Sequence, residues 1–164
     1  MVRGVFPVAT TKLEDVMARE KRMSGPERTA HWVDVLRQWQ GIERDAIETT
    51  AQIMEKTDNL LIRQIMEIIR NDSVQHHRVQ QFIIDSMTRT AVTLSPDDLA
   101  EIWGQIEAHD ELERQTIELA KELLEDSTEP VQQILLKYLL VDEQKHDQIL
   151  GELEEFKKHM AKIS

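Results

Sequence analysis

Apolar residues return every three or four positions through four long stretches, and short runs rich in Gly, Pro, Ser, Thr, Asn and Asp separate them. That spacing signals amphipathic helices rather than strands. The first stretch opens at "SGPERTAHW", where Ser24 or Gly25 can cap, Pro26 fits the first turn and Glu27 follows; it continues to Lys56. "KTDN" interrupts it, with Thr57 or Asp58 able to cap a second helix reaching Ser86. Ser95-Pro96-Asp97-Asp98 opens a third, ending near Glu125, by cap, proline and acidic first turn. After "EDSTEP", Ser127 or Thr128 caps a fourth that ends near Lys162. Helices of roughly thirty residues would each be about 45 Å long, and a four-helix bundle is the natural way to bury their stripes. Residues 1–25 read as a tail with a short amphipathic helix over "TTKLEDVMAREKRM", and 26–162 as the bundle.

Composition sharpens this picture. Five Gly, four Pro and little aromatic content in 164 residues favour one all-α domain. A net charge of −11 removes nucleic acid and anionic membrane as partners, since a phosphate binder needs a basic face. The absence of cysteine excludes disulfides, thiol catalysis, iron–sulfur clusters and Cys-ligated zinc. "MVRGVFPVATTKLED" has no secretory apolar region, and "ILLKYLLV" is too short to span a bilayer, so a cytoplasmic protein is expected.

An internal repeat changes the argument. At a shift of 70 residues "IERDAIETTAQIMEK" falls on "LERQTIELAKELLED", and without a gap Asp72 falls on Asp142 and His76 on His146. The halves, about 26–89 and 96–162, read as a duplicated helical hairpin. Each helix carries one polar cluster in mid-stripe: Glu43 between Trp39 and Ile47; Asp72, Ser73 and His76 between Ile69 and Val79; His109 and Glu113 between Ile106 and Ile117; Asp142, Glu143 and His146 between Leu139 and Ile149. Buried carboxylates are normally paired or metal-bound. Glu143-x-x-His146 puts both groups on one helical face, in reach of one ion.

On "IERDAIE", "LERQTIE" and "DEQKH", with histidines 33 residues beyond Glu43 and Glu113, the chain resembles the ferritin-like superfamily, in particular its compact rubrerythrin-like members. The resemblance covers residues 26–160 and implies a ferritin-like four-helix bundle of two repeated hairpins. It implies a di-iron or di-manganese carboxylate centre held by Glu43, His76, Glu113, Glu143 and His146, oxidising Fe(II) or reducing peroxide as a di-iron type oxidoreductase. Asp72, Asp142, Ser73 and His109 would stand behind these ligands. The pattern departs from the family at Ser73, where the second-helix glutamate is expected, and at Thr50 and Ala120, where related members often carry tyrosine. With one carboxylate missing, two ions, one or none are all open. The rival reading is a metal-free structural bundle whose histidines and acids form a hydrogen-bond network. The link "DSMTRTAVTLS" reaches at most about 37 Å, so either a fraying second helix or hairpin exchange, and in both cases a homodimer, is expected.

Overall fold

A computed structural model of the protein describes residues 23–161. The described residues form helices and no strands: α1 Gly25–Glu55, α2 Leu60–Thr88, α3 Pro96–Ala100, α4 Trp103–Asp126 and α5 Pro130–Ala161. The all-helical expectation holds. The helix expected over "TTKLEDVMAREKRM" lies outside the described residues except for Met23. The described residues divide into two units, with the boundary between Ala91 and Val92. In the first, α1 packs along α2; in the second, α4 packs along α5 and α3 rests on α5.

Local chemistry sets most helix ends. Ser24 caps α1 through a capping box: its hydroxyl accepts from Glu27 N–H, and Glu27 Oε2 accepts from Ser24 N–H at 2.9 Å. Ser95 and Asp98 repeat the device at α3. The second helix is capped neither by Thr57 nor by Asp58 but by Asn59, whose Oδ1 accepts from Ile62 N–H at 3.1 Å. Thr57 instead receives Asn59 N–H, tightening the turn before the cap. Nor does Ser127 or Thr128 cap α5, whose first backbone bond runs from Gln133 N–H to the Glu129 carbonyl. Pro130 forces this later start by fixing the first helical residue.

Two other boundaries differ from expectation. The third helix is not continuous from Ser95, because a turn at Glu101–Ile102 separates α3 from α4. Leu99, 3 % exposed, and Trp103, 9 % exposed, are buried on either side of it. The second helix does not fray at Ser86 but persists to Thr88, whose hydroxyl donates to the Ile84 carbonyl at 2.7 Å.

Within each hairpin the buried seam follows alternating steps of three and four. In α1 it comprises Val33, Leu36, Gln40, Glu43, Ile47, Thr50 and Met54; in α4 it comprises Trp103, Ile106, Asp110, Glu113, Ile117, Ala120 and Leu124. Those are the same positions at a shift of 70 residues. Such a seam is the coiled-coil way of packing two antiparallel helices. It is narrower than the stripe read from the sequence. Trp39, Ile69, Val79, Leu123, Leu139 and Ile149 belong to that stripe yet stand exposed on its flank. The seam is also more polar than expected, for Gln40, Glu43, Thr50, Ser73, Gln80 and Glu113 are all buried.

Candidate metal centre

The second hairpin brings its predicted residues together. Glu113 is a seam residue of α4, with only 9 % of its side chain exposed, and it faces Glu143 and His146 on α5. His146 Nδ1 lies 3.5 Å from Glu113 Oε2 and 3.7 Å from Glu143 Oε2. Glu113, Glu143 and His146 each offer a ligand atom, all within 4.8 Å of one another. The i,i+3 spacing of Glu143 and His146 puts both on the α5 face turned toward Glu113, as expected.

Glu113 and Glu143 stand close enough that their titrations are driven apart. A hydrogen bond with Glu143 holds Glu113 below the usual carboxylate range, with the charges of His146 and His109 adding to the effect. The same bond raises Glu143, and burial and the Glu113 charge push it further up. Of the two, Glu143 is the carboxyl that more readily takes a proton. Thr116 stands beside it, donating its hydroxyl to the Glu113 carbonyl at 2.8 Å and lying 3.2 Å from Glu143 Oε2. Helical spacing puts Thr116 on the same stripe as Glu113, but the repeat gives it no polar partner, since Ala46 occupies the equivalent position.

His109 is placed one helical turn before Glu113, and its Nε2 lies 3.0 Å from Glu113 Oε1. The repeat partner, Trp39, has no such chemistry. Asp142 pairs with Lys145. Arg114 does not pair with Glu118 at i+4; it reaches Asp110 at 2.5 Å and Asp147 at 3.5 Å, while Glu118 pairs with Lys121.

The first hairpin carries a reduced version. His76 Nδ1 lies 3.4 Å from Glu43 Oε1, the counterpart of the His146–Glu113 contact. Likewise Arg44 Nη1 lies 3.4 Å from His77 Nε2, where the second hairpin has Arg114 against Asp147. Ser73, 5 % exposed, takes the place of Glu143, and Asp72 is half-buried beside it. With one carboxylate and one imidazole, this half does not by itself complete an ion site. One turn farther along lies a glutamine layer: Gln40 donates to the His77 carbonyl at 3.3 Å and to Gln81 Oε1 at 3.2 Å. Gln80 is 3 % exposed and neither its amide nitrogen nor its oxygen has a hydrogen-bond partner.

The donor set of the second hairpin suits a divalent cation. Two carboxylates crowded enough to drive their titrations apart form a place where a positive charge is favoured, and a metal ion can supply it. No described helix is long and apolar enough to cross a membrane. Compared with protein-family models, curated proteins and solved structures, the chain shows no match to any.

Proposed function

We propose that the chain is a ferritin-like metal-binding protein whose atypical carboxylate–histidine site oxidises Fe(II) or reduces peroxide. The observation that carries this reading is the convergence of Glu113, Glu143 and His146, whose ligand atoms all lie within 4.8 Å of one another. Glu113 and Glu143 would supply negative oxygens and His146 a nitrogen, a set suited to iron or manganese. Glu143, if protonated, would have to lose its proton to bind an ion, and the Thr116 hydroxyl could then turn from the Glu113 carbonyl to donate to the ionised carboxylate. An iron ion held there would supply one-electron redox chemistry to a small oxidant. In the first hairpin Glu43 and His76 keep part of the same donor set, and Ser73 makes that half the weaker one.

The wider architecture belongs to the same proposal. The exposed apolar flanks at Trp39, Ile69 and Val79, and at Leu123, Leu139 and Ile149, are the surfaces a four-helix bundle or an exchanged homodimer would cover. A metal-free structural bundle is the competing reading, favoured by the hydrogen-bonded Gln40–Gln81 layer that gives the first hairpin polar order without an ion. Anaerobic addition of Fe(II) to the purified full chain, followed by dioxygen or peroxide, separates the two. Ferric absorbance should develop faster with the wild type than with Glu113→Ala. Equal rates with both would remove the proposed activity.

A further inference from the structure

His109 has a geometry that the three-residue set does not use. Its ring meets Glu113 from the Oε1 side at 3.0 Å, while the His146 ring meets the same carboxylate from the Oε2 side at 3.5 Å. His109, Glu113 and His146, with Ile149 and Leu150, line one open cavity of about 240 Å³. Both imidazoles therefore address the same space. The spacing of His109 and Glu113, four residues apart on α4, is one that lets two helical side chains chelate one ion. His109 is 61 % exposed, so reaching the ion costs a rotamer change at an unconfined side chain rather than a shift of the backbone.

We propose that His109 is a fourth donor, so that the second hairpin alone holds a single transition-metal ion with two imidazoles and two carboxylates. The proposal rests on the metal-binding reading above and narrows it. Two nitrogens on one ion favour Fe(II), Co(II) or Zn(II) over Mn(II), because imidazole suits the former and carboxylate and water suit manganese. The open cavity walled by Ile149 and Leu150 leaves one side of the ion accessible to a small ligand.

The test uses the full chain titrated with Co(II), read by proton NMR. A histidine bound to Co(II) gives an exchangeable imidazole N–H resonance shifted far outside the normal range. Wild type should show two such resonances at one ion per chain. His109→Ala should lose one of them and weaken Co(II) binding by about 100-fold, the upper end of the roughly 10–100-fold that loss of an outer hydrogen-bond partner costs. Its Mn(II) affinity should fall much less. A single resonance in the wild type overturns the role of His109 and leaves metal binding intact. So does a second resonance that persists in His109→Ala and disappears in His76→Ala. Failure of the wild type to bind Co(II) overturns both this proposal and the reading beneath it.

Discussion

Ser73→Glu would place in the first hairpin the carboxylate that the second one has. Ser73 is 5 % exposed and stands at the repeat position of Glu143, one helical turn before His76, the partner of the buried Glu43. Without metal, two effects oppose the change. The longer side chain enters a seam built for serine, and overpacking of this kind costs about 1–3 kcal/mol. The new carboxylate would also face Glu43, and the repulsion should push one of the two up, as Glu113 pushes Glu143 up. The metal-free variant should therefore be less stable than wild type by about 2–3 kcal/mol at neutral pH. Acidification should narrow the difference, because protonation of the new group relieves the repulsion. An ion bound at 100 times its dissociation constant contributes about 2.7 kcal/mol, enough to offset the loss. Urea denaturation followed by circular dichroism, with and without Co(II), measures both terms, and native mass spectrometry counts the ions. The variant should bind one more ion than wild type. A variant that is as stable as wild type without metal and gains no ion would refute the equivalence of Ser73 and Glu143.

Further expectations follow from the same geometry. Gln80→Leu puts at that position the residue its repeat partner, Leu150, already has; it removes two unpartnered buried polar atoms and should stabilise the chain by about 1–3 kcal/mol in urea denaturation. Destabilisation would mean that the Gln80 amide is hydrogen-bonded in solution. Gln40→Leu removes an extra bond to the His77 carbonyl and leaves the Gln81 amide oxygen without its Gln40 donor, and should cost about 1 kcal/mol instead. The raised Glu143 contributes stability that is lost as pH rises through its folded value, and the lowered Glu113 contributes stability that is lost as pH falls through its own. Metal-free stability should therefore peak between the two, and Glu143→Gln should flatten only the high-pH limb. Metal affinity should instead rise with pH through that range, since an ion and a proton compete for Glu143; affinity independent of pH would contradict the raised Glu143. Trp103→Ala removes a buried ring, its bond to Glu107 at 2.7 Å and the Lys157 ammonium 3.6 Å above it, and should cost about 3–5 kcal/mol in the same denaturation assay.

The sequence was most informative where local rules act alone. The caps at Ser24 and Ser95 depend on four adjacent residues, and both form as their spacing demands. The Glu143–His146 pair, and the Glu–His contact repeated in both hairpins, depend on helical spacing and a constant shift, which survive without knowledge of packing. The exposure of Trp39 was not legible. An apolar stripe about 100° wide contains both a seam toward the hairpin partner and a flank beside it, and periodicity alone does not divide the two. The same ambiguity concealed Gln40 and Gln80, whose polarity suggested solvent although their three-and-four spacing lies on the seam. The turn at Glu101–Ile102 also left no local mark, because no proline or glycine stands at either position and the apolar spacing from Leu99 to Trp103 is that of a continuous helix.

Elemental analysis of the full chain after anaerobic loading with Fe(II), and separately with Mn(II), tests the central claim most directly. Beside wild type, Glu143→Ala and His76→Ala serve as the two informative variants. A single tightly held iron per chain, retained in His76→Ala and lost in Glu143→Ala, is the result predicted from the second hairpin's donor set. No metal in the wild type, or metal held equally by Glu143→Ala, would contradict a site built on Glu113, Glu143 and His146.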